Sequence, residues 1–225
     1  MKKLSIYEDR KGKIMVKVIL IRHGETNWNT KQIFRGRKDI PLNEVGVAQA
    51  KAVGISLKDI QIDAVYSSPL GRALETANAL SESRSLEIEL DEGFIDIDFG
   101  KWQGTSHEEV QKKYKDLYEM WLTKPQMVTF PEGESLKDVN TRSMEALEKV
   151  IKKHPGKTLA IVSHRVLNKV LLCSVLGLEL SHFWFIKQDT CAINRFEYKD
   201  ERFYLTLLND TCHLKRVEGA SPVDF

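Results

Sequence analysis

Cysteine is scarce in this chain, and the little there is has no pattern. Cys173, Cys191 and Cys212 are odd in number and form no CxxC pair or zinc-type spacing. A disulfide scaffold or a structural zinc module is therefore excluded, and the thiols read as buried or incidental groups in a reducing compartment. Long apolar runs are missing too. No stretch approaches the ~20 residues that cross a bilayer, and the basic amino terminus MKKLSIYEDRKGK lacks the apolar centre of a secretory signal. No membrane partner is expected, and the protein reads as cytoplasmic. An excess of one charge is also absent. A formal net charge of +2 excludes a nucleic-acid binder driven by a large basic face, but not a local cluster of arginines.

What is present is ordinary for a soluble globular protein: 42% hydrophobic and 29% charged residues over 225 positions. With no repeat, low-complexity segment or composition break, one domain spanning 1–225 is the expectation, its core at about 15–210. Residues 1–13 read as an extra edge strand or a loose arm, and 213–225 as a loose tail.

Apolar runs and turn signals alternate along the chain. Met15–Ile21 is a strand whose four consecutive aliphatics suit burial on both faces. It stops at Arg22-His23-Gly24, where glycine permits a sharp turn and brings backbone N–H groups close to a ligand. Asn43 caps a helix with Val45, Ala48, Ala52 and Ile55 as its apolar face. Residues 63–66 form a second strand. Ser67-Ser68-Pro69 then starts a helix from Leu70 to about Ser81, with Arg72 in its first turn. Residues 86–90 are a short strand, and Phe94 to Gly104 a glycine-punctuated loop. Ser106 and Glu109 make a capping box ahead of the stripe Val110, Tyr114, Leu117 and Trp121. Gly133-Glu134-Ser135 opens another helix, with Val139, Met144, Leu147 and Ile151 inward. The apolar strand 158–162 ends in Ser163-His164-Arg165, a helix follows from Val166 to about Leu176, and two strands, 191–198 and 203–209, complete the chain. The pattern predicts an α/β three-layer sandwich: a mostly parallel central sheet with helices on both faces. Residues 104–140 are placed as a cap over one edge of that sheet.

Two buried strands thus end in a histidine, His23 and His164, and a third leads to Arg72; Arg22 sits beside His23. Strand ends of an open α/β sheet share the ligand-binding edge. Two histidines and two arginines around one cavity suit a dianion, most simply a phosphoryl group. Arginine's fork matches phosphate oxygens. A neutral imidazole can attack phosphorus and split one hard step into two easier ones. The departing alcohol needs a proton, so a carboxyl group is required; Glu92, Asp96 and Asp98 are the candidates. His107, His154, His182 and His213 show no paired spacing and receive no role. The run Arg35, Arg37 and Lys38 reads as solvated charge. No metal-ligand cluster is visible and no cofactor is called for.

These residues carry a resemblance. RHGETNWN, SSPLGRALETA, FGKWQG, PEGES and VSH, in that order from Val16 to about Asn209, resemble the histidine phosphatase superfamily, the phosphoglycerate mutase-like group. The resemblance implies a phosphohistidine on His23, with Arg22, Arg72 and His164 completing the phosphate pocket. It also implies phosphate contact by Asn29 and substrate contact by Arg35 and Gly36. The family's proton donor is usually a glutamate four residues before the glycine that here is Gly100, which puts Asp96 in that place with a shorter arm. Arg165 stands where relatives often have glycine; it either adds positive charge at the pocket mouth or points to solvent. Mutases of this group carry a longer, basic insertion. The stretch after Gly104 holds Lys112, Lys113 and Lys115 but no paired arginines. A phosphatase of a small phosphorylated metabolite, in the branch that includes α-ribazole phosphatase-like enzymes, is the expectation. A cofactor-dependent phosphoglycerate mutase is the alternative, and a non-catalytic phosphate-binding regulator the third reading. A homodimer is left open.

Overall fold

The aliphatic run becomes strand β1, Val16–Arg22, in a computed structural model that describes residues 15–220. The expectations for 1–13 and for 221–225 lie outside the described residues. A single turn α1 (Asn27–Thr30) and helix α2 (Glu44–Ser56) follow, then β2 (Ala64–Ser67), α3 (Gly71–Ser81) and β3 (Ile88–Leu90). Next come α4 (His107–Lys113), α5 (Lys115–Thr123), α6 (Leu136–Lys153), β4 (Thr158–Ser163) and α7 (Arg165–Val175), and finally β5 (Ile193–Lys199) and β6 (Arg202–Asp210).

The six strands form one sheet in the order β3-β2-β4-β1-β5-β6. β3, β2, β4 and β1 are parallel, whereas β5 and β6 join antiparallel. Alternation along β1 splits the core. Val18 and Leu20 pack on the α6 and α7 side with Leu147, Leu167 and Leu171, while Ile19 and Ile21 face Val53, Ala77 and Leu80 of α2 and α3. Helices therefore cover both faces, as a largely parallel sheet requires. The segment 104–140 shares its core with α6 and α7, since Val110, Trp121 and Phe130 belong to the same buried cluster as Trp102 and Leu136.

Several local expectations change. In α2 the buried face is Gly46, Gln49, Ala50, Val53 and Gly54, and Ile55 is 68% exposed. Hydropathy placed the stripe on the wrong side because close backbone approach decides this face. A Cβ on Gly46 would strike the backbone of Glu25, and one on Gly54 would strike Ala79. Asn43 does cap α2, accepting from Gly46 N at 2.8 Å. Helix α3 starts at Gly71, later than the serine–proline signal; its first N–H is met by Asp39 at 2.9 Å. The stripe Val110–Trp121 is broken at Tyr114 (φ −128°, ψ 45°) into two helices, α4 and α5. Residues after β6 are not loose as far as Ala220: a turn at Cys212–Leu214 packs on α2, and His213 meets the Cys191 carbonyl at 3.1 Å.

Candidate active site

Adjacent parallel strands bring the two histidines together. Arg22 of β1 pairs in register with Ser163 of β4, so the residues just beyond them, His23 and His164, emerge side by side. Their ring centroids are 5.1 Å apart, and both side chains are fully buried. β2 lies on the far side of β4, and the helix after it delivers Arg72 to the same edge. Three neighbouring strand ends thus bring His23, His164 and Arg72 together at one edge of the sheet.

The ring of His23 is held in one tautomer. Its Nδ1 lies 2.6 Å from the Gly24 carbonyl oxygen, which only accepts, so Nδ1 carries the proton. The Nε2 lone pair then faces the site, and Arg72 Nε donates to it at 3.3 Å. Burial, followed by the charges of Arg72, His164 and Arg22, pushes the His23 imidazolium well below the usual range. The ring is neutral at neutral pH, which is the state a nucleophile needs. Gly24 serves a purpose other than the one expected of it. Its N–H donates to Thr76 Oγ1 at 3.1 Å rather than facing a ligand, and a Cβ there would strike Gly46.

His164 is oriented by a residue that sequence reasoning gave to helix capping. Ser68 Oγ lies 2.7 Å from His164 Nε2 and accepts from Leu70 N at 3.3 Å, so the hydroxyl ties the imidazole to the end of β2. Nδ1 of His164 lies 3.8 Å from Asp96 Oδ2 and has no hydrogen-bond partner among the described residues. Burial, then Arg72 and Arg35, keeps this ring neutral as well. The signal for Ser68 was its place at the end of β2, beside β4.

Arg72 is fixed from behind. It donates to the carbonyls of Lys38 at 2.8 Å and Gly36 at 2.7 Å, and to Asp96 Oδ2 at 3.3 Å. Gly36, expected to face substrate, lines the cavity beside Asp96 and also holds Arg72 through its carbonyl; its φ of +53° and the crowding by Gln103 and Ile97 explain the glycine. Arg22 Nη1 donates to the Gln188 carbonyl at 2.5 Å. Asn29 Oδ1 accepts from Thr26 N at 2.9 Å and Thr26 Oγ1 at 2.8 Å, so that oxygen organises the turn after the RHG segment. Glu25 is structural: its carboxylate accepts from Asn43 Nδ2 at 2.8 Å and ties the turn to α2.

Of the three candidate acids, the site takes in Asp96. Glu92 is exposed, and Asp98 Oδ1 accepts from Gly100 N at 2.8 Å within its own turn. Asp96 opens onto a small pocket whose wall also includes Trp28, Arg35, Gly36, His107 and Arg165. Arg35 is buried there rather than solvated. Burial and the charges of Arg22 and Arg72 oppose its own charge, so the cavity favours an anion. Arg165 does not point to solvent; it is buried, with its guanidinium 5.7 Å from the Trp184 ring centroid. His107, which received no role, lines the same wall, and burial with Arg165 and Arg35 nearby lowers its pKa to about 4. Its place in space is set by α4, which spacing along the chain does not reveal.

The family model of the histidine phosphatase superfamily (branch 1) matches residues 18–211. The chain belongs to the histidine phosphatase superfamily. It is 38% identical over 200 residues to phosphoserine phosphatase 1 of Hydrogenobacter thermophilus, covering 89% of this chain and 95% of that protein. The solved structure of Bacillus stearothermophilus YhfR superposes with a TM-score of 0.86 at 30% identity, covering 89% of this chain and 100% of that one. A phosphoserine phosphatase mutant from Entamoeba histolytica, solved with phosphoserine, gives 0.79 at 31% identity, covering 88% and 99%. As a histidine phosphatase, the chain is an enzyme that acts on small phosphorylated metabolites. None of its helices is long and apolar enough to cross a membrane among the described residues.

Proposed function

We propose that this phosphatase works through a phosphohistidine on His23 and that its substrate is a phosphorylated amino or hydroxy acid of the phosphoserine type. The observation that carries the mechanism is the neutral His23 ring with Nε2 facing Arg72, His164 and Asp96. Arg22, Arg72 and His164 bind the phosphoryl oxygens. His23 Nε2 attacks phosphorus, the P–N bond forms and the P–O ester bond breaks. Asp96 donates its proton to the leaving oxygen. In the second step Asp96 takes a proton from water, whose oxygen displaces the phosphoryl group from His23. No step needs a metal. The substrate class is supported by the relatives named as phosphoserine phosphatases and by Arg35 and Arg165 on the cavity wall, where a carboxylate can be read bidentately.

Hydrolysis is favoured over mutase transfer because Lys112, Lys113 and Lys115 are exposed. The buried free thiols Cys173 and Cys191 fit a reducing cytoplasm. The test is a panel of phosphorylated metabolites in EDTA, read by released phosphate. Turnover highest for phosphoserine-type esters is expected. Interconversion of phosphoglycerates with little phosphate release would contradict hydrolysis, and preference for esters lacking a carboxylate would contradict the substrate class.

A further inference from the structure

The acid segment has no strand to hold it. Asp96 lies on irregular chain between the turns Glu92–Phe94 and Gly100–Trp102. Ser163 Oγ anchors its start by donating to the Phe94 carbonyl at 2.7 Å, and most of its remaining backbone ties go to one ion pair outside the site. Arg142 of α6 donates through Nη1 to the carbonyls of Gly93 at 3.0 Å and Ile95 at 2.7 Å, and through Nη2 to the Asp96 carbonyl at 3.1 Å. The same guanidinium grips Glu134 twice, from Nε at 2.9 Å and Nη2 at 3.1 Å. Glu134 in turn accepts from Asp98 N at 2.9 Å, and its own N–H donates to the Asp98 carbonyl at 2.9 Å. Positions 93, 95, 96 and 98 are therefore all tied to one Glu–Arg pair. Arg37, from the loop whose Gly36 carbonyl holds Arg72, donates to Glu134 at 3.0 Å. The side chains of Arg142 and Glu134 are only 20% and 17% exposed. Such a partly desolvated, bidentate pair is worth more as a fixed geometry than a solvated surface bridge.

We infer that Glu134 and Arg142 are positioning residues for the proton donor, setting the backbone height from which the short Asp96 arm reaches the leaving oxygen. The inference rests on the proposed role of Asp96. An aspartate reaches one C–C bond, about 1.5 Å, less far than a glutamate. A misplacement of about 1 Å can cost ~10²-fold in rate, so an arm this short makes the backbone's position decisive. Neither Glu134 nor Arg142 is placed on the cavity wall; their hydrogen bonds reach the site through the Asp96 segment, and the Arg142 charge is also felt at His164.

The test compares two leaving groups. An alkyl ester such as phosphoserine needs its oxygen protonated; p-nitrophenyl phosphate does not. For Arg142→Met, kcat/KM for phosphoserine should fall ~10²-fold while the aryl ester is nearly unchanged. Asp96→Asn should likewise lose more kcat/KM on phosphoserine than on the aryl ester, and the double variant should be no worse than Asp96→Asn alone. Arg142→Lys should lie between. Glu134→Gln supplies a second variant should Arg142→Met fail to fold. Equal loss on both esters, or loss on neither, would overturn the inference, as would additivity in the double variant. If Asp96→Asn itself shows no leaving-group dependence, the acid assignment falls and the inference with it. If Asp96→Asn shows it and Arg142→Met does not, the positioning role alone is refuted.

Discussion

The two halves of the site are built by different means. The nucleophile half rests on the ends of β1, β4 and β2, where ladder hydrogen bonds of a buried parallel sheet fix His23 and His164 from below. The acid half hangs on irregular chain between the turns that end at Phe94 and begin at Gly100, and is held by side chains from α6, the Gly133–Ser135 turn and Ser163. The first half is set by backbone and the second by side chains. Point substitutions outside the pocket should therefore disturb the second half far more easily than the first.

The largest effect should come from breaking the backbone-built half at its reacting atom. His23→Ala is expected to lower kcat on the order of 10⁴-fold or more, as loss of a covalent nucleophile does; phosphate release over hours of incubation measures it. Replacing a phosphate donor, Arg72→Gln or His164→Ala, should cost on the order of 10²–10³-fold in kcat/KM for both alkyl and aryl esters. That indifference to the leaving group separates this half from the acid half, and a selective loss on alkyl esters would blur the comparison.

Gly46→Ala probes the close approach of α2 to the RHG turn. Overpacking there should lower stability by about 1–3 kcal/mol, and denaturant titration reads it. The smallest effect is a pH dependence. His23 and His164 are pushed well below 6.5, and His107 to about 4, whereas the unfolded chain protonates its histidines near 6.5. Below pH 6.5 the unfolded state binds more protons than the folded one, so Tm should be flat above that pH and fall as the pH is lowered beneath it. A Tm that rises on acidification from 6.5 would contradict neutral buried rings.

The same contrast explains what the amino-acid sequence revealed. His23, Arg22, Arg72 and His164 were legible because each follows an apolar strand or opens the helix after one, and such ends converge on one edge. Asp96 could be placed among three carboxylates only by resemblance, because a loop has no period to say which side chain turns inward. Ser68 and Gly36 each have a second partner that local readings do not reveal, His164 for the Ser68 hydroxyl and Arg72 for the Gly36 carbonyl, because both partners lie far along the chain. The face of α2 was misread because Gly46 and Gly54 bury backbone, which hydropathy does not weigh. Arg35 was placed at the substrate only by resemblance and His107 gave no signal, since their shared wall exists only once α4 folds over the loop before α2.

The central claim is covalent catalysis on His23, and trapping the intermediate tests it most directly. Enzyme mixed with phosphate-labelled phosphoserine, quenched in base within milliseconds and mapped by mass spectrometry, should carry an acid-labile phosphoryl group on the peptide containing His23. His23→Ala should carry none. Steady turnover with no labelled peptide, or label on any other residue, would contradict the account.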